Sequence, residues 1–335
     1  MTRAKAVGVA LILFWAAAVV AQEADAIGPA LAAARALIDE GQPAAAIQKL
    51  QSLDPTNPRV AHALGVAYYH ADDHGRAIEL LAPVVSKLAE GSLERREAVQ
   101  VLGLSLYLAA HLAESIPYLE ETREWAPENI ELAYVLGNAY IQTRQPDKAR
   151  ESFARLFRVA PESAAAHLLT AQMMVRLEFE EPAEAELRKA IAKDPRMPQA
   201  HFLLGQAAIF RARFDEAVAL LQRELEVNPG NAMALYRLGD LYTRQSKWDE
   251  AIAALQKSLW ISPAFSGPYI LLGKAYMRKG QSATAEGMLR RAIEYDPNNK
   301  SAHYLLAQLL QQAGRADEAK REFEIAERLP DASGR

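Results

Sequence analysis

Residues Leu271–Pro297 read "LLGKAYMRKGQSATAEGMLRRAIEYDP". Apolar residues recur here three and four positions apart, the spacing of amphipathic helices with one buried face. Leu272, Gly273, Tyr276 and Ala285 stand at fixed places in that pattern, and Pro297 ends it. A proline has no N–H to give to a helix, so the second helix of the stretch must stop there. The stretch holds no cysteine or histidine and no Ser–His pairing on which chemistry could be built.

The same stretch recurs along the chain. Pro127, Pro161, Pro195, Pro229, Pro263 and Pro297 each follow the last by 34 residues. In step with them run Leu102-Gly103, Leu136-Gly137, Leu204-Gly205, Leu238-Gly239 and Leu272-Gly273, with Thr170-Ala171 in the same phase. Ala149, Ala183, Ala217, Ala251, Ala285 and Ala319 form another series, and Tyr140, Tyr242 and Tyr276 a third. A unit of two short amphipathic helices cannot bury its apolar face alone, so consecutive units must stack. Small residues at the eighth and twentieth positions let helices approach within a unit and between units. Leu at the seventh and Tyr at the eleventh fill the space left.

This pattern resembles the tetratricopeptide repeat, whose period and Leu-Gly, Tyr, Ala and Pro positions it shares. The resemblance covers about residues 27–333. It implies an all-α fold, an α-solenoid of about nine helix-turn-helix units wound as a right-handed superhelix. We place the units near 27–57, 58–95, 96–129, 130–163, 164–197, 198–231, 232–265, 266–299 and 300–333. The first is degenerate, yet "GQPAAAIQKLQSLDP" keeps the turn, the Ala and the Pro. The second carries extra residues at Leu88–Glu94, "LAEGSLE", before the phase resumes. The last helix, "ADEAKREFEIAERL", is densely charged on one face, as a terminal unit facing water should be.

The N-terminus reads differently. Arg3 and Lys5 precede a run from Ala6 to Ala21 with no charged residue, and Val19 and Ala21 suit a cleavage site. We read residues 1–21 as a secretory signal peptide and 22–335 as the solenoid, which places the protein in the periplasm or outside the cell. The run is shorter than the ~20 residues of a spanning helix. The alternative is an uncleaved anchor that holds the protein to the membrane. No cysteine stands near the cleavage site to carry a lipid, and the chain has none anywhere, so it needs no disulfide in an oxidising compartment. Loss of Arg3 and Lys5 moves the formal net charge from −4 to −6. An acidic chain is a poor partner for a polyanion, which argues against nucleic acid. With 50% apolar and 24% charged residues, the rest has the composition of a folded chain.

Motifs for catalysis are lacking. Gly267–Lys274, "GPYILLGK", has one residue too many between its glycines for a phosphate loop, and Ala275 where Ser or Thr is required. His167, His201 and His303 share the fourth position of their units and are read as packing residues. His70, Asp72, Asp73 and His74 in "HADDHG" straddle a turn, and we read them as a solvated turn rather than a metal site. No cofactor and no metal are expected, and no enzyme activity.

What remains is surface. In proteins this chain resembles, positions 2, 5, 9, 12 and 13 of each first helix line a concave groove. Position five holds Tyr134, Leu168, Phe202, Tyr236, Ile270 and Tyr304, preceded by His62 and Gln100. Position nine holds Asn138, Gln172, Gln206, Asp240, Lys274 and Gln308. An aromatic and apolar row beside a row of amides suits an extended peptide or a partner helix. Arg237, Arg244, Lys274 and Arg278 add positive charge, partly offset by Asp240. The carboxylate clamp of chaperone-binding relatives does not carry over, because Leu168, Gln172, Leu203 and Met233 occupy its positions and only Arg237 matches. The Asn row of sugar-transferase relatives is missing too, with Val135, Leu169 and Leu203 in its place. The expectation is a non-enzymatic scaffold of the bacterial cell envelope that binds a protein or peptide partner. The alternative is a substrate-presenting subunit of an enzyme complex, as in cytochrome maturation or polysaccharide export. The oligomeric state is open.

Overall fold

A computed structural model describes residues 27–330. The signal-peptide reading of residues 1–21 and the last residues of the ninth unit lie outside the described residues. Every regular element among the described residues is helical. The chain divides into two compact units, one up to Pro161 and one from Glu162.

The first unit contains α1 (27–39), α2 (Pro43–Leu50), α3 (Pro58–His70), α4 (His74–Leu81), α5 (Leu93–Leu108), α6 (Leu112–Trp125), α7 (Ile130–Gln142) and α8 (Pro146–Leu156). The second contains α9 (Ala164–Arg176), α10 (Glu180–Lys193), α11 (Ala200–Phe210), α12 (Phe214–Val227), α13 (Ala232–Arg244), α14 (Trp248–Ile261), α15 (Ser266–Arg278), α16 (Ser282–Tyr295), α17 (Lys300–Gln312) and α18 (Ala316–Arg328). Each pair is one helical hairpin of the repeat, and within each unit successive hairpins stack on one another.

The hairpins close on the glycines of the eighth position. A methyl group built on Gly273 would lie 2.6 Å from Leu289 Cγ, one on Gly239 2.5 Å from Leu255 Cγ, and one on Gly65 2.5 Å from Leu81 Cγ. Gly137 meets Phe153 at the same 2.5 Å. The absent side chain is what lets a fully buried leucine or phenylalanine of the second helix sit on the backbone of the first. Each such leucine contributes on the order of 2 kcal/mol through removal of apolar surface from water.

Most first helices are capped by a polar residue just ahead of them. The side chains of Asn57, Asn129, Ser163, Asn231 and Asn299 accept a hydrogen bond from a first-turn N–H. At α11 that place is taken by Met197, which has no acceptor, and the helix starts at Ala200, two residues after the start expected from the phase. A buried carboxylate does the capping instead. Glu224, on α12, accepts the Gln199 N–H at 3.1 Å and the Phe202 N–H at 3.3 Å, and the Asn231 amide at 3.1 Å. Gln199 itself takes a left-handed φ of 70°.

The irregular second hairpin departs from the repeat in a definite way. Pro83 cannot continue α4, which stops at Leu81 after only 8 residues, and a single 3-10 turn follows at Val85–Lys87. Part of the extra sequence then joins the next helix. Ser92 caps α5, which starts at Leu93 rather than at the expected Arg96 and runs for 16 residues.

The three periodic histidines are buried, as expected of packing residues, and all are also hydrogen-bonded. His167 Nδ1 lies 2.6 Å from Glu186 Oε2, and His303 Nδ1 the same distance from Glu322 Oε2. His201 and His303 each reach the carbonyl of the repeat proline before them, Pro195 and Pro297, at 3.0 Å. In "HADDHG", Asp72 takes a left-handed φ of 59° and Asp73 caps α4. No cluster of metal-binding side chains occurs among the described residues.

Candidate functional site

In the second unit the first helices α13, α15 and α17 pack side by side. Their faces carry the residues singled out from the repeat. The aromatic row of position five is only partly free. Phe202 packs on the core around Leu221 and Leu238, and Tyr236 is half-buried with its ring edge-on to Phe265 at 4.7 Å. Burial, with the Asp240 carboxylate nearby, raises the Tyr236 hydroxyl above its ordinary pKa. Ile270 is half-buried, whereas Tyr304 is 49% exposed and rests on Phe323.

The row at position nine is also mixed. Gln172 is bonded to Gln199 at 3.2 Å, and Asp240 is paired with Arg244 at 3.1 Å. Gln206 and Gln308 are half-buried, with side chains not tied to any described residue. Three cations remain. Arg237 lies over the Tyr236 ring at 5.5 Å, and Lys274 and Arg278 stand on α15. None of the three has an acidic partner among the described residues.

In the first unit Tyr134 is 43% exposed. Asn138 was expected to offer its amide on the surface, but the structure corrects this. It is 4% exposed and its side chain lies against the Tyr107 hydroxyl. The repeat position is right, but the tyrosine of the preceding hairpin covers it.

The first unit also holds a cavity of about 610 Å³ between α1, α3 and α5. Leu31, Ile38, Ala63, Val66 and Leu93 give it an apolar lining. Its polar wall is a group of three, Arg35, His62 and Glu97. Glu97 is paired with Arg35, and its other carboxylate oxygen lies 3.2 Å from His62 Nε2. Burial by itself would raise the Glu97 carboxyl, but hydrogen bonds to His62 and Arg35 outweigh it and hold the group down to about 2. The position rule contained this site as well. Gly28, Leu31, Arg35 and Ile38 are positions 2, 5, 9 and 12 of the first repeat, Arg59, His62 and Val66 are positions 2, 5 and 9 of the second, and Glu97 is position 2 of the third. The degenerate first repeat and the insertion in the second obscure the phase there, and with it the signal that these residues share one face.

Two profiles described as tetratricopeptide repeat match the chain, one over residues 37–92, 106–173 and 276–333, the other over 207–267. The chain belongs to the tetratricopeptide repeat family. Tetratricopeptide repeat proteins bind protein partners, and no described helix is long and apolar enough to cross a membrane. Among solved structures, MamA from Desulfovibrio magneticus RS-1 is 22% identical, covering 50% of this chain and 94% of that one, with a TM-score of 0.46. YrrB, described as a TPR protein with an unusual peptide-binding site, is 19% identical over 53% of this chain and 92% of its own, with a TM-score of 0.48. The Cut9–Hcn1 hetero-tetramer of the APC/C is 18% identical over 79% of this chain and 52% of its own, with a TM-score of 0.44. No curated protein matches.

Proposed function

We propose that this tetratricopeptide repeat protein is a non-enzymatic scaffold of the bacterial cell envelope that holds an acidic segment of a protein partner on the α13–α15–α17 face. The observation that carries the reading is the set of Arg237, Lys274 and Arg278, three cations on adjoining helices with no acidic partner among the described residues. Cations left unpaired beside half-buried aromatic rings favour an anionic partner, because each contact gains charge complementarity without first breaking an internal pair. The exposed ring of Tyr304 and the untied amides of Gln206 and Gln308 offer apolar area and backbone hydrogen bonds to the same segment.

The envelope location rests on the N-terminal sequence, where Arg3 and Lys5 precede an uncharged run to Ala21. The lack of cysteine suits that compartment.

Titration of the whole chain with labelled acidic, neutral and basic peptides, read by fluorescence anisotropy, tests the proposed face. Acidic peptides should bind tightest, with an affinity that falls as salt is added. The double variant Lys274→Glu, Arg278→Glu should lose that preference. Equal binding of all three peptides would refute the assignment.

A further inference from the structure

His167, His201 and His303 hold the fourth position of their repeats, and all three are buried, yet their rings meet different partners. In the fifth and ninth repeats position 23, on the second helix, is Glu186 and Glu322. Each of these carboxylates lies 2.6 Å from the histidine Nδ1. In the sixth repeat the same position is Leu220, which offers no acceptor. On the other side of the ring, Nε2 of His201 lies 3.0 Å from the Pro195 carbonyl, and Nε2 of His303 lies 3.0 Å from the Pro297 carbonyl. Nε2 of His167 and Nδ1 of His201 are buried and face no acceptor among the described residues.

These contacts decide where the protons sit. A ring nitrogen beside a carboxylate or carbonyl must carry hydrogen to bond it, and a buried N–H without an acceptor is penalised. His167 therefore holds one proton, on Nδ1, and His201 holds one, on Nε2. His303 has an acceptor at both nitrogens, so only the doubly protonated, cationic ring makes both hydrogen bonds. The surrounding charges agree. Glu186 already meets Lys189 at 2.7 Å, whereas Glu322 has no cation but His303 within ion-pair distance among the described residues. On the other elements packed around His303, Arg291 of α16 is paired with Glu294, Arg315 with Glu318 of α18, and Asp296 takes the Asn299 amide. Lys300 heads α17, Lys274 and Arg278 stand on α15, and Lys320 and Arg321 on α18 are exposed.

We infer that the His303–Glu322 pair is a pH-sensitive latch on the last hairpin, charged near neutral pH, while His167 and His201 stay neutral there in opposite tautomers. The latch needs the second proton of the His303 ring. On the alkaline side its contribution to stability is therefore lost as pH rises. Loss of that proton removes one of the two hydrogen bonds and leaves the Glu322 charge without its cation, which loosens α18 from α17. The neighbouring rings of Tyr304 and Phe323, 5.6 Å apart across the same two helices, loosen with it. The latch does not depend on what the α13–α15–α17 face binds.

The test is nuclear magnetic resonance of the whole chain with nitrogen-15 in its histidines, because protonated and bare ring nitrogens differ in chemical shift. Loss of one ring's signals in each of His167→Gln, His201→Gln and His303→Gln assigns the spectrum. Near neutral pH the His303 ring should carry hydrogen on both nitrogens, His167 on Nδ1 alone and His201 on Nε2 alone. Glu322→Gln keeps the shape of the partner and removes its charge. It should turn one ring, that of His303, to the singly protonated form, which identifies that ring even if His303→Gln fails to fold. The urea midpoint of the parent should fall as pH rises through the range in which the His303 signals change, and the midpoint of Glu322→Gln should not follow. A singly protonated His303 or a doubly protonated His167 in the parent would overturn the proposal. So would a His303 ring unaffected by Glu322→Gln, or a parent midpoint that stays level while the ring loses its proton.

Discussion

The Tyr140 hydroxyl donates a 2.5 Å hydrogen bond to the Glu120 carboxylate of the preceding hairpin. The same contact recurs with amides in place of the carboxylate. Gln51 donates to Tyr68, Gln222 to Tyr242 and Gln256 to Tyr276, each at 3.0 Å and each across one hairpin boundary. The tyrosine of position eleven is thus more than a filler, since where it occurs its polar end ties its hairpin to the one before. Burial, and then the Glu120 charge, raise the Tyr140 hydroxyl above its ordinary pKa, as expected of a proton held between two oxygens.

A hydrogen bond to a charged acceptor is worth more than a neutral one, about 1.5–3 against 0.5–1.5 kcal/mol. Tyr140→Phe should therefore cost more stability than Tyr276→Phe, by about 1 kcal/mol. Urea unfolding of both variants checks the order, and equal losses would contradict it.

The glycine contacts predict a second result. Gly273→Leu places a side chain where even a methyl group would lie 2.6 Å from Leu289. The hairpin must open, at a cost of roughly 1–3 kcal/mol. Thermal unfolding unchanged from the parent would contradict the close approach.

The turns inside the hairpins all use a left-handed residue at the same place, but only some of them use glycine. Gly280 and Gly314 have φ of 73° and 77°, whereas Ala212, Ala110 and Ser246 are forced to 55°, 62° and 58°. A side chain costs about 1 kcal/mol in that conformation. Ala212→Gly should stabilise the protein by about that amount and Gly280→Ala should destabilise it similarly. Opposite shifts of the urea midpoint are the expected readout, and shifts of the same sign would contradict the turn geometry.

Glu97 makes acid stability predictable. Its folded pKa of about 2 lies below the ordinary value of 4.5. A depressed carboxylate contributes stability that is fully present above pH 4.5 and is lost as pH falls towards 2. Glu97→Gln should therefore destabilise the chain near neutrality and flatten its acid decline in that window. Melting temperatures measured across the window for both proteins decide it, and parallel curves would refute the Arg35–Glu97–His62 group as drawn.

The legible part of this fold is the part that repeats. Pro297, Gly273 and Tyr276 each do a physical job that recurs in many of the hairpins, so their period shows in the sequence. Exceptions to the period are settled by contacts between hairpins. Met197 reads as an uncapped helix start, and nothing nearby shows that Glu224, 27 residues on, caps it. Asn138 reads as a surface amide because Tyr107, which covers it, sits in another hairpin. The α13–α15–α17 cations were legible as charges, but that Asp240 takes Arg244 and leaves Lys274 and Arg278 unpaired is a matter of reach. The cavity of the first unit was obscured for the opposite reason, because its residues obey the rule in a stretch where the phase is broken.

The central claim is that the first-helix face of the second unit holds a protein partner. The most direct measurement is photo-crosslinking in the native cell, with a photoreactive residue in place of Arg278 on α15. The control carries it at Lys257, which is exposed on the second helix of the preceding hairpin. A discrete adduct with one protein is expected from Arg278 and none from Lys257. No adduct from Arg278, or the same adducts from both positions, would contradict it.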